Sequence, residues 1–187
     1  MSDDPLHRRL RRLGIVKGFR ELEAGSDEEV SGRPRSEAAA VLPGERIQTP
    51  HGPVWVERSV YHADFRHGRY ALQHLRSMSE RGLTLIDCPD LGAHPAFIDT
   101  ETTGLAGGTG TLAFLIGVGV WNGEILDLHL IFMRSPESET AALRYLESIL
   151  ADASGLVSFN GRAFDLPILE TRFVLNRISP ACLDLPH

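Results

Sequence analysis

The stretch TLAFLIGVGVWNGEILDLHLIFM, residues 111–133, leaves this chain few ways to fold. Two apolar, β-rich runs flank Asn122-Gly123, the dipeptide that accepts the positive φ angles of a two-residue turn, so they close as an antiparallel hairpin. Leu126, Leu128, Leu130 and Phe132 alternate with Asp127, His129 and Ile131, the period of a half-covered strand. PAFID, from Pro95, is a shorter strand ahead of the hairpin. SPESETAALRYLESILADA predicts a helix, with Ser135 as candidate N-cap, Pro136 at the first position and acids in the first turn. GLVSF reads as another buried strand, FDLPILETRFVLNRI as a second helix and ACLDL as a last strand. The order β-β-β-α-β-α-β predicts an α/β fold, a mixed sheet flanked by helices.

The first half gives weaker signals. Residues 5–23 have helical spacing, with Leu6, Leu10, Leu13 and Val16 near one face and arginines between them. That pattern suits a solvated basic amphipathic helix or a nucleic-acid or partner-binding arm. Residues 24–43 are rich in small, charged and turn-forming residues and read as a linker. Residues 44–95 form a small α+β accessory region. GERIQTPHGPVWVERSV suggests two short strands around a Pro-His-Gly-Pro turn, and residues 68–81 suggest a helix using Tyr70, Leu72, Leu75 and Met78 for packing. Residues 96–187 are the main domain. His51, His62, His67 and His74 match no zinc spacing.

With 187 residues, 42% of them apolar, the chain has material for one sizeable core. The longest apolar run, Leu112 to Trp121, is about half a membrane span, so no membrane partner is expected. No apolar stretch follows the charged N-terminus, which excludes a secretory signal. Cys88 and Cys182, far apart, read as free thiols of a cytoplasmic protein.

FIDTETTGL, residues 97–105, sets two like charges at the end of an apolar strand. Positions i and i+2 of a strand face the same way, so Asp99 and Glu101 project together. In isolation such a pair is a solvated strand end or a hard-oxygen site for Mg²⁺ or Mn²⁺. SFNGRAFDLPIL adds Asn160 at a strand end and Asp165 at the start of a helix, where it is an N-cap or a third carboxylate. In a sheet of this order the fourth strand lies beside the first, which brings Asp165 toward Asp99 and Glu101. Two metal ions about 3.5–4 Å apart at such a site activate a water and stabilise the leaving oxygen of a phosphodiester.

Charge agrees with a need for cations. The net charge is −6, with residues 1–20 carrying six basic groups against two acids and residues 96–187 carrying five against eleven. A protein that binds nucleic acid by neutralising phosphates alone is basic. If this chain handles nucleic acid, bound cations must supply much of the positive charge at its site. GTGTLA at 108–113 fits the glycine pattern of a dinucleotide site, but that pattern needs a following helix, and a strand-like run follows.

FIDTETTGL followed by LVSFNGRAFDLP resembles the first two signature motifs of the DEDD 3′–5′ exonucleases, in the ribonuclease-H-like superfamily. ETTGLAGGTGTLAFLIGVG and VSFNGRAFDLPILETR are most similar to the YprB-like family of bacterial exonuclease-domain proteins. The resemblance spans residues 96–187 and extends weakly through GERIQTPHGPV. It implies a ribonuclease-H-like sheet and a two-metal exonuclease acting on the 3′ end of DNA or RNA. Asp99 would bridge both metals, Glu101 would hold the metal that activates water, and Asp165 would hold the other. Thr102, Thr103, Gly104 and Leu105 would cradle the terminal nucleotide, and Asn160 and Phe164 would line the substrate groove. The family's third motif brings a fourth metal-binding aspartate and a His or Tyr. The chain stops at CLDLPH, where Asp184 matches the aspartate of the preceding strand and His187 ends the sequence. A missing C-terminal segment or a partner is therefore expected to complete the site, with weak turnover without it. The alternative is a non-catalytic nucleic-acid-binding or scaffold module that keeps the fold.

Overall fold

A computed structural model describes residues 43–77, 91–104 and 109–187. The expected N-terminal helix, nearly all of the linker, Met78, Cys88 and Leu105 lie outside the described residues. Among the described residues there are eight strands, β1 Glu45–Thr49, β2 Gly52–His62, β3 Arg66–His67, β4 Tyr70–Ala71, β5 Pro95–Thr102, β6 Ala113–Trp121, β7 Ile125–Phe132 and β8 Gly155–Val157. The α-helices among them are α1, Glu139–Leu150, and α2, Asp165–Leu175. Six strands make one mixed sheet in the order β1-β2-β7-β6-β5-β8, and β3 and β4 make a separate two-stranded hairpin. This is the mixed sheet flanked by helices that the order of elements predicts.

The β6–β7 hairpin turns where the Asn-Gly pair places it. Gly123 has φ +93°, and Asn122 Oδ1 accepts from the amides of Glu124 and Ile125 at 3.0 and 2.9 Å. The segment after the glycine-rich GTG is strand β6, so the dinucleotide reading fails on structure as it does on sequence. β5 runs antiparallel to β6 and parallel to β8, which puts the fourth core strand beside the first.

Register sorts the side chains onto two faces. Val56, Ile131, Ile116 and Thr100 are cross-strand neighbours, as are His129, Val118 and Ile98. These rows face the helices, where Val56, Ile116, Ile131, Val118 and Ile98 pack in one core with Ala142, Leu146 and Leu150 of α1 and Leu166, Leu169 and Phe173 of α2. Burying each large aliphatic side chain there contributes about 1.5–3 kcal/mol. The alternate rows, among them Glu57, Leu130, Gly117 and Asp99, face the other way.

Three expectations change. The strands read as accessory, β1 and β2, extend the main sheet, because β2 pairs with β7 from Trp55 onward and its Val54 and Val56 enter the common core. Pro53, which lacks an amide donor, precedes that ladder. Of the helix read over 68–81, the described part is the β3–β4 hairpin's second strand and a 3-10 helix, Leu72–Ser77, because Gly68 at φ +60° turns the chain back. ACLDL is no strand; Pro180–Leu183 form a 3-10 helix, started by Pro180 and by Ser179 accepting from the Ala181 amide. The chain reaches the outer edge of β8 only afterwards, where the Leu156 amide donates to the Pro186 carbonyl at 2.7 Å. Burial pushes the Cys182 thiol up to about 11, so it stays protonated at neutral pH.

Candidate functional site

The two motifs meet at the end of β5. The β5–β8 ladder stops at the Phe97–Val157 pair, so beyond Phe97 the strand has lost its neighbour on that edge. An amide left there without an acceptor would be costly. Asp165, the first residue of α2, fills the gap. Its Oδ1 accepts from the Thr100 amide at 3.0 Å and from Thr100 Oγ1 at 2.5 Å. The carboxylate is 6% exposed and ends in the place a continuing strand would occupy.

Thr100 sits between Asp99 and Glu101, and its side chain points to the helix face while theirs point away. Asp99 is exposed and Glu101 half-buried. Glycine 117 stands opposite Asp99, so no side chain crowds it from β6. The ladder then slips between Glu101 and Thr102, a bulge of the kind that re-aims a side chain at the end of a strand. The structure thus carries Asp165 to the residue between Asp99 and Glu101. It does not draw the three into one cage: among the described residues, no group of three His, Cys, Asp or Glu side chains is placed to hold a metal ion. The donor chemistry, all hard oxygen, suits Mg²⁺ or Mn²⁺. The placement fits less well, since Asp165 has already committed Oδ1 to Thr100.

Thr102 and Thr103 are engaged in the turn that follows. Thr102 Oγ1 donates to the Gly104 carbonyl at 2.9 Å, and Thr103 is latched to Leu112 twice, its amide donating to the Leu112 carbonyl and its Oγ1 accepting from the Leu112 amide, both at 3.0 Å. The loop's far side is held from α2. Arg172 Nη1 donates to the Thr109 carbonyl at 2.7 Å, while Nε and Nη2 grip Glu139 at 2.6 and 2.7 Å. Asn176 donates to the same carboxylate and accepts from Thr140. Arg172 and Glu139, each 8% exposed, lie 33 residues apart on two helices, and no sequence spacing announces the pair.

Between β8 and α2 the chain makes a tight turn. Asn160 takes φ +62°, a left-handed conformation that asparagine tolerates better than most residues. The Gly161 amide donates to Ser158 Oγ at 3.0 Å, and the Gly161 carbonyl accepts from Phe164 and Leu166. A methyl group on Gly161 would lie 2.1 Å from Ser158 Oγ and 3.3 Å from Asp165 Oδ2, so glycine is required here. Asn160 and Phe164, both read from sequence as groove residues, are exposed. His187 Nε2 lies 2.7 Å from Ser158 Oγ and the Arg162 guanidinium holds the His187 carbonyl. Burial, and then the charge of Arg162, lower the His187 pKa, leaving the ring neutral at pH 7.

The mixed sheet and its parallel β5–β8 pair agree with comparisons against known proteins. Residues 96–187 match the family model of the RNase_H superfamily. The fold is ribonuclease-H-like. An 81-residue stretch of the chain is 38% identical to the protein named "Uncharacterized protein YprB" of Bacillus subtilis (strain 168). The matched stretch covers 43% of the present chain and 19% of that relative, so the chain spans about a fifth of the relative's length. No solved structure matches the chain significantly. Among the described residues no helix is long and apolar enough to cross a membrane.

Proposed function

We propose that this ribonuclease-H-like chain is a metal-dependent nuclease that removes nucleotides from the 3′ end of DNA or RNA. The observation that carries the reading is the hydrogen-bonded junction of Asp165 with Thr100, the residue between Asp99 and Glu101. Two acidic motifs, joined by a bond between residues 65 apart in sequence, thereby meet at one strand end, beside a turn latched by Thr103.

Divalent ions bound there would lower the pKa of a water and neutralise charge on the phosphodiester. Asp99, exposed at the open end of β5, Glu101 and Asp165 would be the residues that hold the ions. Thr102, Thr103, Gly104 and Leu105 receive the terminal nucleotide, while Asn160 and Phe164 border the strand behind it. The chain is acidic, so affinity for a polyanion depends on Mg²⁺ or Mn²⁺ as well as on side chains. One observation favours a second reading: the two donors on Asp165 Oδ1 suit a structural cap, as in a nucleic-acid-binding module without turnover.

The test is incubation of 5′-labelled single-stranded DNA and RNA with Mn²⁺ or Mg²⁺. Wild type should shorten the strand stepwise from its 3′ end, and Asp99→Ala should abolish the ladder. Equal cleavage by both proteins rules the site out, and binding without cleavage by wild type selects the second reading.

A further inference from the structure

Phe159 is 94% exposed, an unusual position for a phenylalanine on an ordered turn. Water around a full aromatic ring is unfavourable, and a flexible loop would relieve it by folding the ring onto the protein. The turn gives it no such freedom. Ser158 is tied to Gly161, Asn160 to Ala163, and Gly161 to Phe164 and Leu166, so the backbone on the C-terminal side of Phe159 is fixed by hydrogen bonds. A second ring on the same turn, Phe164, is 45% exposed. Arg162, between them in sequence, is exposed as well. The turn is also in touch with the candidate site, because a Cβ on Gly161 would stand 3.3 Å from Asp165 Oδ2.

We propose that Phe159 is a stacking platform for an unpaired nucleobase of a single strand whose 3′ end lies at Asp99 and Asp165. A solvent-facing aromatic ring on a hydrogen-bonded turn gains by covering its face with another flat ring, and every nucleobase offers one. A base paired in a duplex is already stacked and hydrogen-bonded, so Phe159 makes the site select unpaired ends. The assignment rests on the nucleic-acid reading of the neighbouring carboxylates and adds a binding determinant outside them. The Arg162 guanidinium is engaged with His187, so the ring rather than this charge supplies the contact.

The test uses the full chain with Ca²⁺ and a single strand carrying 2-aminopurine near its 3′ end, whose fluorescence is quenched on stacking. Phe159→Ala should weaken binding about tenfold and lose the quenching. Phe159→Trp should restore both, while Phe159→Leu, similar in size but not aromatic, should not. A blunt duplex should bind wild type and Phe159→Ala alike. Unchanged affinity and quenching in Phe159→Ala overturns the platform, whatever the protein cleaves. The loss in Phe159→Ala together with no cleavage by wild type in Mn²⁺ keeps the platform and overturns the nuclease reading. Failure of wild type to bind the strand at all overturns both.

Discussion

Two charged networks brace helix α1, and they differ mainly in how much water they see. At the site end, Glu139 and Arg172 form a bidentate pair whose side chains are each 10% exposed. At the hairpin end, Arg58 and Asp127 form an equally short bidentate pair on β2 and β7, but their exposures are 59% and 24%. His129, buried beside Asp127, passes that network on to Tyr145 of α1. Geometry alone would rank the two pairs as equals. Solvent separates them: an exposed pair exchanges hydration for a screened attraction, whereas a buried pair leaves an uncompensated charge when either partner is removed. Position adds to the contrast, since Arg172 also holds Thr109 in the loop next to the carboxylates.

The largest expected effect follows from breaking the buried pair. Arg172→Ala should destabilise the fold by about 3–5 kcal/mol in denaturant titrations, because Glu139 is then buried without its partner. Thr100→Val comes next. It removes the hydroxyl donor from the buried Asp165 carboxylate and should cost about 1.5–3 kcal/mol, with the backbone donor still in place. Arg58→Ala should cost about 0.2–1 kcal/mol, reduced further by salt. If Arg58→Ala matched Arg172→Ala, the contrast between the networks would be lost.

The smallest effect is a pH dependence at the hairpin end. Burial, the dominant influence, holds the His129 pKa below its ordinary 6.5, despite Asp127 nearby. A histidine with a lowered folded-state pKa contributes stability that is complete above about 6.5 and is lost as pH falls toward the folded value. Thermal midpoints should therefore drop between pH 7.5 and 5.5, and His129→Gln should flatten that change. Asp127, held low chiefly by its hydrogen bonds from Arg58, adds a loss only at more acid pH.

Local pattern made much of the fold legible. Asn122-Gly123 specifies its hairpin by turn chemistry, and the helices α1 and α2 follow from apolar spacing. Pro136 and Ser135, read as the start of the first helix, instead open a 3-10 turn, Pro136–Ser138, and α1 begins only at Glu139. The places that escaped depend on distant partners. Val54 and Val56 read as part of a short accessory strand, but nothing in them names β7 as the neighbour, where Val56 pairs with Ile131 about 75 residues away. ACLDL has a strand's apolar content, and Pro180 with Ser179 turns it into a 3-10 helix instead. At the site, the spacing of Asp99 and Glu101 gave their common face directly. Asp165 was placed near them by strand order. Its bond to Thr100 was not legible, because it arises from β8 ending at Val157 while β5 runs on.

The claim at the centre is that the open end of β5 is a divalent cation site, and Mn²⁺ titration of the metal-free chain followed by electron paramagnetic resonance tests it without any substrate. Wild type should bind Mn²⁺ at a saturable site that Asp99→Asn abolishes and Glu101→Gln weakens. Thermal melts should confirm that both variants remain folded. Mn²⁺ binding of the same affinity and stoichiometry in wild type and Asp99→Asn would contradict the account.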